Sequence, residues 1–298
     1  MKKVLVIGST VVDVIINVDH LPTTQEDVHV ISQHMSLGGC AFNTSDMIRH
    51  FEVPYILFSP DGTGAYGEFV RMSLRDRKIE TPIPAPARDN GCCYCFVESS
   101  GERTFISYHG AEYLFEKEWF SIPDAEDIDS VYICGLEIEE TTGEHIVSYL
   151  EKHPEFRIYF APGPRINKIN PHLLSRLFAL HPVIHLNEEE ILAYTKEAVC
   201  EKAAQKLFSM TENSVIVTLG AEGTYYCSKD GCGHVPGVTA HQIDTIGAGD
   251  SHIGAVIACE KLGKPLPEAI RMANRVAARV VETQGALLPD EEFEKISF

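Results

Sequence analysis

Short apolar runs alternate with stretches of helical periodicity along most of the chain. Val4 to Ile7, Tyr55 to Phe58, Val131 to Cys134, Arg157 to Phe160, Pro182 to His185 and Val215 to Leu219 have strand length and little polarity. Between them, Cys40 to Phe51, Glu68 to Lys78, Glu144 to Lys152, Glu188 to Tyr194 and Glu201 to Met210 repeat apolar residues every three to four positions. Two longer helices, Gly249 to Leu262 and Leu266 to Thr283, close the pattern. Continuously apolar strands separated by helices predict an α/β fold, with a mostly parallel sheet covered on both faces.

Two segments break the rhythm. Val12 to Met35 holds strand-like pieces with polar turns, and Gly91 to Tyr108 reads as a hairpin turning at Glu98 to Glu102. They are expected to pair as a small β lid, formed from about residues 12–35 and 91–108, on one α/β domain spanning 1–298. Val28 to Ile31 and Cys93 to Val97 are its expected apolar strands, and their pairing between subunits would make a homodimer.

The 298 residues are 44% hydrophobic and carry a formal net charge of −18, which argues against a nucleic-acid partner. No apolar run reaches membrane-spanning length, and the N-terminal run is too short for a secretory signal. A cytoplasmic setting is therefore expected, with the nine cysteines as thiols. Cys92 and Cys95 have CxxC spacing, but within a strand they read as buried small side chains rather than metal ligands.

The most informative segment is Asp244-Thr-Ile-Gly-Ala-Gly-Asp250, which runs into an apolar helix. A helix start exposes unpaired N–H groups and the positive end of the dipole, so it suits an anion. Gly247 and Gly249 let the backbone approach that anion. Asp250 would stand beside it, placed to take a proton from an attacking hydroxyl. Locally, an ordinary Asp-capped helix fits as well.

Other motifs are weaker singly. Gly38-Gly39 precedes a helix that carries Asn43, and Asp13 follows the first strand, where a carboxylate can hold paired hydroxyls. Asn187 and Glu190 fit either helix capping or the ordering of magnesium-bound water. Thr218-Leu-Gly-Ala-Glu-Gly223 is a strand and glycine turn over which a nucleotide could pass. Gly62-Thr-Gly-Ala-Tyr-Gly67 matches GxGxxG, with Glu80 as a ribose partner, so an NAD-dependent oxidoreductase is one rival. A catalytically silent sugar- or nucleotide-binding regulator is another. No P-loop pattern occurs.

Taken in order, the Gly38-Gly39/Asn43 turn, Asn187 to Glu190, Thr218 to Gly223, Asp244 to Asp250 and the Ala273-Asn274 to Gly285-Ala286 tail resemble the ribokinase-like, or pfkB, carbohydrate kinase family over nearly the whole chain. The resemblance implies a three-layer sandwich with a β lid, and a kinase using ATP and Mg²⁺ on a small sugar. A purine nucleoside or pseudouridine is the alternative acceptor. It makes Asp250 the general base and Gly247, Ala248 and Gly249 the anion hole. Asp13, Gly38, Gly39, Asn43 and Glu137 would hold the acceptor. Asn187, Thr218, Gly220, Gly223, Asn274 and Arg165 would attend the nucleotide, with Glu190 organising magnesium through water. Some members bind a monovalent cation such as K⁺ beside the anion hole, where Asp244 and Ile246 lie. Gly64, Pro60, Ala161 and His252 depart from the family pattern. A free sugar is favoured over a sugar phosphate because the acceptor segments lack a basic cluster, although Arg103 of the lid could supply a cation.

Overall fold

The computed structural model describes residues 1–84, 86–122 and 125–297. Its β-strands are β1 (Lys3–Ile7), β2 (Val11–Val18), β3 (Ser32–Gly38), β4 (Tyr55–Phe58), β5 (Cys92–Glu98), β6 (Arg103–Tyr108), β7 (Ile128–Cys134), β8 (Arg157–Ala161), β9 (Val183–Asn187), β10 (Val215–Thr218), β11 (Gly223–Ser228) and β12 (Gly231–Pro236). The helices are α1 (Cys40–His50), α2 (Gly64–Asp76), α3 (Gly135–Glu139), α4 (Gly143–Leu150), α5 (Pro171–Phe178), α6 (Glu188–Thr195), α7 (Cys200–Thr211), α8 (Ala248–Lys261), α9 (Leu266–Val281) and α10 (Asp290–Phe293).

Eight strands form the large sheet in the order β12-β11-β10-β9-β8-β7-β1-β4. The pairs from β9–β10 through β1–β4 are parallel, and only β11 runs against its neighbours. Each parallel strand is apolar on both sides because helices cover both faces. On β1, Val4 and Val6 enter one core with residues of α1, α8 and α9, while Leu5 and Ile7 enter the other with α4, α5 and α7. All four are fully buried. The three-layer α/β architecture expected from the apolar runs is present.

The second sheet has the order β3-β2-β5-β6. Alternation along β2 explains its placement. Val12, Val14, Ile16 and Val18 are buried in the core that includes Val70 and Leu74 of α2, while Asp13, Ile15 and Asn17 point to the other face. Across the sheet the second face continues through Ser36, His34 and Ser32 of β3 and Cys93, Cys95 and Val97 of β5.

Four expectations are corrected in detail. Val28 to Ile31 is not a strand: Val30 and Ile31 are exposed in the loop that leads into β3, which begins at Ser32. The helix expected from Glu68 begins at Gly64. Strand β12 and helix α5 were not read from the sequence. Finally, Cys227 and Cys232 are not thiols. They stand opposite each other on the β11–β12 hairpin, with Cα atoms 4.0 Å apart, and are joined as a disulfide. The other seven cysteines are free. Cys92 and Cys95, three positions apart on β5, face opposite sides of the small sheet and cannot share a metal.

Candidate active site

The site forms where α1 and α8 approach each other at the ends of the parallel strands. Gly254 permits that approach: a Cβ there would lie 2.8 Å from the Thr44 carbonyl oxygen and 2.9 Å from Met47 Cβ. The consequence is contact across 207 residues of sequence. Asn43 Nδ2 donates to Asp250 Oδ2 at 2.9 Å, and Thr44 Oγ1 donates to the Asp250 carbonyl at 3.4 Å.

Helix α8 starts with Gly247 in the left-handed region, at φ 75°. A side chain there would strike Ala286, whose carbonyl oxygen lies 2.3 Å from the would-be Cβ. Gly249, by contrast, faces open space. Asp250 lies in the first turn of α8, beyond this glycine turn. Burial pushes its carboxyl up to about 6; the Asn43 amide and the Cys40 thiol pull the other way, and Glu137 adds to the rise.

Asp13 is likewise raised to about 6, by burial first and by the Asp250 charge second. Gly38 makes room for it, since a Cβ at that position would lie 1.9 Å from Asp13 Oδ2. Gly39 caps α1 at φ 99°, packed on the Ser9 carbonyl oxygen, which would lie 2.5 Å from a Cβ there. Glu137 on α3 is 1% exposed and accepts the Ser9 N–H at 2.8 Å and the Cys134 thiol at 2.5 Å. Burial pushes its carboxyl upward. Among the described residues, Ser9 Oγ, Thr10 Oγ1 and Asn43 Oδ1 are buried without a protein partner. Such atoms cost stability unless a polar ligand or water meets them.

Two cavities share the glycine loop as a wall. One, of about 630 Å³, is lined by Asp13, Asn17, His34, Phe105, Asp244 and Ile246 among others. The second, of about 310 Å³, is lined by Asn187, Thr218, Gly220, Gly223, Gly249 and Asn274 among others. Of the expected acceptor residues, Asp13 lines the first space; of the expected nucleotide residues, Asn187, Thr218, Gly220, Gly223 and Asn274 line the second, while Gly38, Gly39, Asn43, Glu137, Arg165, Glu190 and Asp250 line neither.

Several expected residues have a local role as well. Asn187 and Glu190 form a capping box on α6, each accepting the other's backbone N–H at 2.9 Å. Glu190 Oε1 stays outside that box and lies near Gly163. Arg165 is paired with Glu139 through Nε and, at 2.6 Å, through Nη2. Asn274 spends its amide on the carbonyls of Val235 and Pro236 at 3.1 Å, and its oxygen accepts from Thr224 Oγ1 at 2.6 Å. It builds the cavity wall with its hydrogen-bonding groups already engaged.

The sequence reading missed the reason for His252. His252 Nε2 contacts Asn274 Oδ1 and Thr224 Oγ1, and His252 Nδ1 meets His185 Nε2 at 3.0 Å. A phenylalanine would fill this space but take the partner from His185 Nε2, while Thr224 and Asn274 would keep their bond to each other. Burial holds the His252 imidazole down at about 4 and His185 well below its ordinary value, so both are neutral. It placed Asp244 beside a monovalent cation but missed the protein partners that already engage its carboxylate. Oδ1 accepts from Arg103 Nη1 at 2.5 Å and the Ile246 N–H at 2.9 Å, and Oδ2 accepts the Gly285 N–H at 2.9 Å.

The GxGxxG match has a packing explanation. A Cβ on Gly67 would lie 1.9 Å from the Gly62 carbonyl oxygen, and one on Gly62 would lie 2.5 Å from that of Arg88. The glycines close on their own chain and leave no cradle for a pyrophosphate.

Comparison with known proteins agrees with this geometry. A family model described as pfkB family carbohydrate kinase matches residues 1–292. An uncharacterized sugar kinase of Escherichia coli K12, YegV, is 31% identical over 95% of this chain and 90% of its own. A ribokinase of Staphylococcus aureus is 25% identical over 96% of this chain and 95% of its own. Among solved structures, a ribokinase from Thermotoga maritima superposes with a TM-score of 0.83 at 24% identity, covering 99% of both chains. A Burkholderia thailandensis nucleoside kinase in complex with inosine gives 0.76 at 19% identity, over 95% of this chain and 91% of its own. The chain belongs to the pfkB family of carbohydrate kinases, and the oxidoreductase rival falls.

Proposed function

We propose that this kinase transfers the γ-phosphoryl group of ATP to a hydroxyl of a small free sugar, with Asp250 as the base. The observation that carries the reading is the shared wall. Residues 244–249 separate a polar-ended cavity holding Asp13 from a second cavity bounded by the Thr218 to Gly223 turn. An acceptor in the first and a nucleotide in the second would meet at the N-terminus of α8, where N–H groups can receive the charge of the moving phosphoryl.

In this scheme Asp13 holds paired hydroxyls, helped by Asn43 and by the unpartnered Ser9 and Thr10 hydroxyls. Glu137 acts by fixing the β1–β2 corner through the Ser9 N–H. Asp250, with its carboxyl near 6, is ionised at neutral pH and still basic enough to take the proton. The four-stranded sheet is the lid over an α/β body comprising the rest of the chain.

Magnesium fits as a phosphate-borne ion. No group of three metal-ligating side chains occurs among the described residues. A magnesium site needs only one or two carboxylates beside the phosphates, and Glu190 is the available carboxylate. The ion would neutralise charge on the phosphates. A monovalent cation is left out of the proposal because a guanidinium already stands on Asp244.

A nucleoside acceptor is the second reading. The 630 Å³ cavity exceeds what a free pentose needs and includes Phe69 and Phe105, either of which could face a base. A homodimer through the lid is part of the proposal, since Met35, Phe105, Ile106 and Tyr108 of the small sheet are all exposed by about half. No described helix is long and apolar enough to cross a membrane; a cytoplasmic setting is part of the proposal.

The deciding experiment is magnesium-dependent ADP release from ATP over a panel of pentoses, hexoses, sugar acids, sugar phosphates and nucleosides. Turnover with a free sugar supports the first reading, and turnover confined to nucleosides replaces it with the second. ATP binding with no turnover on any acceptor favours the silent regulator. Light scattering of the purified protein tests the dimer; a monomer at micromolar concentration would remove it.

A further inference from the structure

We propose that Arg103 is the cation of the phosphoryl-transfer loop, carried in on the small sheet and standing where a dissolved monovalent ion would otherwise be needed. The inference rests on the kinase reading for its catalytic meaning.

Asp244 opens the loop and is 4% exposed. Its carboxylate fastens two pieces of backbone, Ile246 within the loop and Gly285 in the segment behind it. Ala286 in that segment packs directly against Gly247. The position of Asp244 therefore fixes the glycine turn that presents N–H groups from the start of α8. A buried ionised carboxylate must be compensated, or it moves toward water or takes up a proton.

Arg103 provides the compensation. Its Nη1 donates to Asp244 Oδ1 at 2.5 Å, and it has no other ion pair among the described residues. Burial pushes the Asp244 carboxyl up, but Arg103 and the two backbone N–H groups outweigh burial and hold it below the usual carboxylate range.

The origin of this cation is the informative part. Arg103 is the first residue of β6, opposite Val97 of β5, and belongs to a different sheet from the loop it neutralises. Both Arg103 and Asp244 line the cavity that holds Asp13. Seating the small sheet would thus enclose the acceptor and deliver the charge that orders the loop in one movement. An added K⁺ would meet a guanidinium at the same carboxylate and be repelled.

Arg103 is a positioning residue, so its test separates loop order from binding. The wild type, Arg103→Ala and Arg103→Lys would be assayed for magnesium-dependent ADP release in tetramethylammonium buffer, then with KCl or guanidinium chloride added to about 20 mM, below denaturing levels. Melting temperature would be followed under the same conditions, without substrate. The wild type should respond less than twofold to either ion. Arg103→Ala should lose roughly tenfold or more in kcat with little change in ATP binding, and guanidinium or K⁺ should restore both turnover and melting temperature. Arg103→Lys should fall between them.

Three outcomes would overturn the proposal: wild-type activity that requires K⁺, an Arg103→Ala enzyme as active as wild type in tetramethylammonium, or an impaired variant that neither ion restores. If the wild type releases no ADP with any acceptor, the kinase reading fails separately. Ion-dependent melting of Arg103→Ala, present or absent, still decides whether Arg103 serves Asp244.

Discussion

Asn43 Nδ2 donates to Asp250 Oδ2 at 2.9 Å, so the amide of one helix aims the carboxylate of another. That bond leaves Asp250 Oδ1 outside it, directed by a fixed partner. Asn43→Ala should therefore lower kcat by about tenfold, the equivalent of one hydrogen bond, with the ATP dissociation constant nearly unchanged. Asp250→Asn should bind ATP as wild type does and lose about 10²–10⁴-fold in kcat. Single-turnover kinetics beside nucleotide titration would check both, and wild-type turnover in Asp250→Asn would remove its assignment as base.

The pH profile has a definite direction. As the proposed base, Asp250 would have to be ionised to accept a proton, and its carboxyl is raised to about 6. Activity should be flat above pH 7 and fall as pH drops through about 6. Asp13, also near 6, titrates in the same window and is coupled to Asp250, so the break belongs to the pair. Glu137 contributes to the rise of Asp250. Glu137→Gln should move the break to lower pH; an unmoved or raised break in kcat/KM against pH would contradict this.

Two glycines of one turn should behave oppositely. Gly247→Ala puts a side chain at φ 75° and 2.3 Å from the Ala286 carbonyl oxygen. It should cost about 2–4 kcal/mol, read as a lowered melting temperature. Gly249→Ala meets nothing and lies within α8, so the fold should hold or gain slightly. Its methyl group enters the 310 Å³ cavity, and nucleotide affinity should drop at least tenfold. Equal effects on stability from the two changes would refute this division.

Gly38→Ala isolates acceptor recognition. Its methyl group would fall 1.9 Å from Asp13 Oδ2 and drive that side chain aside. The acceptor KM should rise tenfold or more while ATP binding stays. Steady-state kinetics with the acceptor varied would show it.

The buried histidines shape acid stability. His185 and His252 are held below their ordinary values, so the unfolded chain binds more protons than the folded one once pH falls under about 6.5. Their contribution to stability is complete above that pH and is lost progressively toward pH 4. Asp13 and Asp250 work in the opposite sense, since a raised carboxyl makes the folded state the better proton acceptor between about 4 and 6. His252→Phe should flatten the loss between pH 6.5 and 4 in urea titrations, at some cost at neutral pH from the lost contacts to His185, Thr224 and Asn274. An unchanged slope would show that the pair does not set it.

The large sheet was legible because its strands are buried on both sides. Val4 to Ile7 and Val215 to Val217 are nearly uninterrupted apolar runs, and all are fully buried. Strand β12 was not legible, because in Gly231–Pro236 only Val235 is buried. Helix α5 has an Asn170 cap and a Pro171 start, so its beginning is written in the local sequence. Val28 to Ile31 misled for the reverse reason: Val30 and Ile31 are apolar yet stand exposed in a loop.

The glycine turn and Asp250 could be read from local chemistry, because a left-handed start to a helix needs glycine. The partners of Asp244 and His252 could not. Arg103 is 141 residues from Asp244, and His252 is satisfied by side chains from β9, β11 and α9. Such pairings exist only after the sheets have been stacked, and a local window holds no trace of them.

The closeness of α1 and α8 also bears on synthesis. Asp13, Gly38, Gly39 and Asn43, proposed to face the acceptor, emerge from the ribosome in the first 43 positions, but Asp250 follows some 200 residues later, after every strand of both sheets has been made. Until α8 arrives, α1 lacks the neighbour that buries Met47, and Asn43 lacks its carboxylate. A nascent or split chain lacking α8 therefore lacks the proposed base and the glycine turn together, and reconstituting activity from two fragments would require the later piece to dock on α1 at Asn43, Thr44 and Met47.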